Sequence, residues 1–209
     1  MNLGTIGLLL GASFASGINL YATVATLGLL QRFEVVALPP SLAILGHPIV
    51  LAIAIALYLI EFVADKIPAV DHLWDAAHTF IRPPAAALLA YAAVAPASSG
   101  VPELWRIAAA LLAGSIALTA HSTKAATRGA VNASPEPFST AAVSFAEDLL
   151  AIGLSWLAVV HPAIAIGVVA LLLVASIVIL VTLFRFVRAI WRRMFGASAE
   201  TENKTPTPA

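Results

Sequence analysis

The chain has 209 residues, 61% of them apolar and only 11% charged, against roughly 25% charged in an ordinary soluble domain. Eleven Lys and Arg balance eleven Asp and Glu, so there is no basic face for nucleic acid and no acidic run that would keep the chain disordered. Cysteine is absent, which removes disulfides, thiol nucleophiles, thiolate zinc sites and iron–sulfur clusters, and a mean hydropathy of +0.97 points to the bilayer as partner.

The N-terminal stretch around Leu8 to Ala15 has the outline of a short secretory signal, yet no Lys or Arg precedes it and the uncharged run continues to Gln31. That run is long enough to cross a hydrocarbon core, so it reads as a first transmembrane helix. Further apolar segments cover residues 48–64, 84–97, 104–124, 138–160 and 163–187, after a first one at 4–30. Proline marks the turns between them, at Pro39-Pro40, Pro83-Pro84, Pro135-Glu136-Pro137 and His161-Pro162. The expected fold is therefore all-α, a polytopic transmembrane bundle of about six helices over residues 1–196, followed by a disordered cytoplasmic tail over 197–209. The segment at 84–97 is the shortest, and its length suits a re-entrant element as well as a span.

With six spans and both ends inside, the cytoplasmic side would carry Lys66, Arg82, Lys124, Arg128, Arg185, Arg188, Arg192, Arg193 and Lys204, against Arg32 and Arg106 outside. That bias predicts a multi-pass protein of the bacterial inner membrane with both termini cytoplasmic. An echo between Leu9 to Ala15 and Leu111 to Ala117, which sets Asn19 over His121, is consistent with a three-plus-three inverted repeat.

Polar residues inside apolar segments are expensive in lipid and mark the bundle interior. Asn19 lies in a stretch of small residues from Gly11 to Gly17, which serves helix packing or lines a pathway. Tyr58, Glu61 and Asp65 share one helical face, and two carboxylates a turn apart repel unless one is protonated or a cation lies between them. Lys66, next to Asp65, points to another side of the helix. Asp71, Asp75 and His78 also share a face; they read as an N-cap and first-turn acids, or more weakly as metal ligands.

The fullest constellation joins the fourth and fifth segments. His121, Lys124 and Arg128 continue the small-residue stripe of Ala113 and Ala117. Glu147 and Asp148 follow Phe138 by nine and ten residues, about 14 Å at the helical rise and near the middle of a ~30 Å core. A turn with Ser134 as N-cap and Pro135 at the first helical position would fold the two helices antiparallel and bring His121 and Lys124 to the depth of these acids.

The strings GINLYAT, EFVADKIPAVDHLWDAAHTFIRPP, VNASPEPF and AEDLLAIG, with His161-Pro162, resemble the bacterial integral membrane proteins grouped as domain of unknown function 4126, over residues 11–162. The resemblance implies a polytopic membrane protein and carries no reaction, cofactor or catalytic residue. Two classes of activity, and a third role without one, fit these residues. A secondary transporter or channel would use Asn19, Glu61, Asp65, His121, Lys124, Arg128, Glu147 and Asp148 to bind a small ion or solute. An intramembrane enzyme would use Asp71, Asp75 and His78, or His121 with Glu147, on a lipid-linked substrate. A non-catalytic assembly subunit would use them for packing alone, and a homo-oligomer is compatible with any of the three. No phosphate loop, nucleophile elbow or HExxH motif occurs.

Overall fold

The computed structural model describes residues 2–94, 101–132 and 137–202. Eight α-helices and one 3-10 helix make up the regular structure, with no strand among the described residues. In chain order they are α1 (Leu3–Ile18), α2 (Leu20–Arg32), a 3-10 helix (Pro40–Gly46), α3 (Pro48–Ala64), α4 (Pro68–His78), α5 (Arg82–Ala93), α6 (Glu103–Asn132), α7 (Pro137–Val160) and α8 (Pro162–Glu202).

The first apolar segment is two helices, not one. Asn19 is extended, at φ −146° and ψ 101°, and serves both as the C-cap of α1 and as the N-cap of α2, its Oδ1 accepting from the Ala22 amide. Proline opens several later elements, at Pro48, Pro68 and Pro162, where its missing N–H lies among the unbonded first-turn donors of a helix. The expected cap at Ser134 lies outside the described residues. The helix expected to begin there is described from Pro137 onward.

Three helices are long and apolar enough to cross a membrane, namely α6, α7 and α8 as far as Arg192. A fourth span is formed if the 3-10 helix and α3, bent by 64° at His47, are taken together. The six spans expected from hydropathy thus become three or four by length among the described residues, because α1 has only 16 residues and α5 only 12. At the helical rise α5 is about 18 Å long, short of the ~30 Å hydrocarbon core. α8 continues to Glu202 and so enters the stretch expected to be a tail.

Large apolar side chains line much of the surface, while charged residues such as Glu61, Arg82 and Arg128 are buried. Ile49, Ile53 and Leu59 of α3, Leu111 and Leu112 of α6, and Leu171, Val174 and Val178 of α8 are exposed, which suits hydrocarbon as the solvent. α1 is the central element, packed against α5, α6, α7 and α8. Glycine makes that position accessible: a Cβ at Gly11 would lie 2.5 Å from Ala158 Cβ, and one at Gly17 only 2.7 Å from Ala120 Cβ. Phe14, Ala15 and Ile18 join Ile116, Ala120, Ala151, Leu154 and Val169 in a core that ties α1 to α6, α7 and α8.

Candidate functional site

Four helices meet beside the break at Asn19, and three of them bring charged side chains. α1 ends at Ile18, α3 ends in Glu61 and Asp65, α4 carries Asp71, Asp75 and His78, and α5 begins at Arg82. α6 supplies His121, Lys124 and Arg128 from one buried face, as the small-residue stripe predicts. α7 supplies Glu147 and Asp148.

Arg82 is fully buried and links three elements. Its Nη2 donates to Glu61 Oε1 at 2.6 Å, and its Nη1 donates to the Gly17 carbonyl at 3.0 Å and to His121 Nδ1 at 2.9 Å. The Gly17 carbonyl belongs to the last turn of α1, where the helix dipole favours a cation. Because arginine only donates, Nδ1 of His121 accepts, so the ring is neutral with its proton on Nε2. That proton faces the Thr79 hydroxyl at 2.9 Å and the Asp75 carbonyl at 3.1 Å.

Arg128 repeats the same device one helix end away. Its Nη1 donates to the Asp65 carbonyl at 2.7 Å, capping α3, while Nη2 meets Asp65 Oδ2 at 2.9 Å and Glu147 Oε2 at 2.8 Å. Nε donates to the same Glu147 oxygen at 2.9 Å. Lys124 lies between Glu61 Oε1, at 3.4 Å, and Asp65 Oδ2, at 3.0 Å. Its ammonium is the cation that two carboxylates one turn apart require. Lys66 lies outside this network, donating to the Phe62 carbonyl and resting over the Phe62 ring.

The expected partners of the α7 acids are thus exchanged. Glu147 is held by Arg128, and Asp148 Oδ1 accepts from Asn19 Nδ2 at 2.9 Å, while His121 and Lys124 turn toward α3, α4 and α5. Asn132 Nδ2 donates to Asp71 Oδ2 at 2.8 Å and brings the C-terminal end of α6 to α4. His78 donates from Nδ1 to the Trp74 carbonyl at 2.8 Å and accepts from the Tyr21 hydroxyl at 3.1 Å, and burial lowers its pKa.

Asp71 is in the first turn of α4, but the N-cap is Ile67 and not Asp71, because Pro68 starts the helix earlier. Among the described residues no group of three His, Asp or Glu side chains is placed to hold a metal ion, so Asp71, Asp75 and His78 do not converge as ligands. Arg82 is the central residue that sequence reasoning missed: beside Pro83-Pro84 it reads as a cytoplasmic loop charge. Tyr21, which the sequence groups with Asn19 and Thr23, also joins the network, as do Asn132 and Thr79, which polar spacing does not mark.

In total six carboxylates, Glu61, Asp65, Asp71, Asp75, Glu147 and Asp148, gather with three fixed cations, Arg82, Lys124 and Arg128. Arg82, Arg128, Glu61, Asp65 and Asp71 are 0% exposed. Burial on this scale, within an apolar helical shell, defines a class: membrane-embedded helical proteins with an internal ionic network. Residues 6–182 match the family described as domain of unknown function 4126, and the chain belongs to it. The match extends beyond the stretch legible by eye and takes in the first half of α8. No curated protein and no solved structure matches the chain.

Proposed function

We propose that the protein is a secondary transporter or channel for a small ion or solute, working through the charged site where α1 and α2 separate. The observation that carries this reading is the broken helix. The C-terminal end of α1 faces the Arg82 guanidinium, and Asn19, the N-cap of α2, holds the Asp148 carboxylate. Interrupted helices whose two ends turn opposite dipoles toward a polar site are how transporters bind ions without exposing backbone to lipid.

The negative excess of the network supports a cation or proton as the coupled species. Asp148 is the first candidate to carry it, with Glu147 beside it: one Asp148 oxygen accepts from Asn19 and the other, Oδ2, is buried without a hydrogen bond. The reading includes two halves of opposite orientation, supported by Gly17 packing on Ala117 and Ala120, the helix pair that the sequence echo aligns. An enzyme using His121 has less support, because both ring nitrogens are engaged within the protein.

The test is proton flux into proteoliposomes, read by an entrapped pH dye under an imposed diffusion potential and a panel of cation gradients. Wild-type vesicles should respond, and Asp148→Asn should fall to the level of empty vesicles while staying folded. Wild-type flux in a folded Glu147→Gln, Asp148→Asn double variant would sink the coupling role and leave packing as the better account.

A further inference from the structure

Asp75 stands apart from the other acids of the network. It is 5% exposed, and neither of its carboxylate oxygens has a hydrogen-bond partner. The nearest cation is Arg82 Nη1 at 3.8 Å, and that nitrogen already donates to Gly17 and His121. The backbone of the same residue is the opposite case, since its carbonyl accepts from the Thr79 amide, the Thr79 hydroxyl and His121 Nε2. The main chain of Asp75 is therefore held in place while its side chain is left unanswered.

An ionised carboxylate in such a place lacks the hydrogen bonds that offset its lost hydration, and a protonated one needs far less. The groups around it are Glu61 and Asp65 from α3, Arg82 from α5 and Lys124 from α6, with His121 on its backbone carbonyl, Asp71 on its own helix, and His78 of that helix turned to Trp74 and Tyr21. Glu61 and Asp65 take up the Lys124 charge between them, and Glu61 shares Arg82.

We propose that Asp75 is a proton-binding site of this network, a carboxyl group that is protonated in the resting protein and releases its proton when α4 or Arg82 is displaced. Burial pushes the Asp75 carboxyl above the usual aspartate range, against the pull of Lys124 and Arg82. A proton is the ligand rather than a divalent ion, because among the described residues no three of these side chains are placed to hold a metal, and Glu61 and Asp65 are already paired with Arg82 and Lys124. The step is simple: the carboxylate takes one proton from water and becomes a carboxylic acid, and on ionisation it competes with Glu61 for Arg82. Arg82 in turn holds the last turn of α1, so the charge on Asp75 is linked to the grip on the helix break.

The inference deepens the transport reading by naming a residue that loads the proton, yet its test needs no flux. The chain has only four aspartates, Asp65, Asp71, Asp75 and Asp148, so protein labelled with carboxyl-carbon-13 aspartate and reconstituted in lipid gives few signals. The Asp75 signal is assigned as the one that Asp75→Glu removes, and Asp75→Asn serves if that variant fails to fold. The expected result is a protonated Asp75 at pH 7, with Asp75→Asn gaining on wild type in melting temperature as the pH rises from about 4. The sign follows from a folded-state pKa above the unfolded one, so that wild-type stability is lost from the unfolded value upward until the folded value is passed. An Asp75 signal that stays ionised from about pH 5 to pH 8 would overturn the proposal. So would a signal that shifts with sodium at constant pH, or an Asn variant less stable at every pH, the mark of a structural ion pair. A negative flux experiment alongside a protonated Asp75 would remove the transport reading and leave this site.

Discussion

Arg82 is the residue on which the network turns, because one guanidinium serves the α1 carboxyl end, the His121 ring and the Glu61 carboxylate. Arg82→Ala should cost about 3–5 kcal/mol of stability, the range for leaving a buried charge without its partner. Arg82→Lys should recover little of it, since a single ammonium cannot reproduce a planar fork reaching three acceptors. The paired change Arg82→Met with Glu61→Leu should lose less than either single charge removal. Thermal melts in one detergent of wild type, Arg82→Met, Glu61→Leu and the double variant close the cycle, and an additive double variant would mean that the two residues do not act as a unit.

At the scale of the element, α1 is defined by how close its neighbours come. Gly17→Val places a side chain into the Ala117 backbone and the Ala120 methyl, and should destabilise by about 1–3 kcal/mol as an overpacked contact. Gly153→Ala in α7 meets nothing within 4 Å and should stabilise by about 0.5–1 kcal/mol. If both variants melt alike, α1 is not packed as described. The charged face of α6 was legible in the sequence because Ala113, Ala117, His121, Lys124 and Arg128 follow the helical period, and all five are buried. The break at Asn19 was not legible. A hydropathy window averages over one polar residue, and what makes an extended Asn19 favourable comes from afar: Arg82 on the Gly17 carbonyl, 65 positions on from that residue, and Asp148 on the Asn19 side chain, 129 positions away. Arg82 was misread for a related reason, since a cation in the first turn of a helix opposes that helix's own dipole. Its favourable dipole is that of α1.

For the whole molecule, burial changes the arithmetic of orientation. Of the nine cations assigned to the cytoplasmic side, Arg82, Lys124 and Arg128 are locked in ion pairs, which leaves six against two. The bias keeps its sign, and Arg185, Arg188 and Arg192 on the exposed end of α8 supply half of the six. A reporter fused after Ala199 should be active only in its cytoplasmic form. A reporter active outside the cytoplasm at that position would reverse the topology and place the α3 carboxylates at the outer face.

The ion pairs between α3 and α6 join residues 59 to 63 positions apart, and this separation has a meaning for biosynthesis. At about 5–20 residues per second of synthesis, α3 waits roughly 3 to 12 seconds for Lys124 and Arg128 to be made. An acid in contact with lipid and without its cation is costly, and α3 carries Glu61 and Asp65 together at its C-terminal end. α3 is therefore a poor candidate for release into lipid by itself. Its stable entry is joint, with the insertion machinery holding it until α6 has emerged, so nascent chains stopped before His121 should stay bound to that machinery or be degraded, whereas chains reaching Asn132 should partition into the membrane.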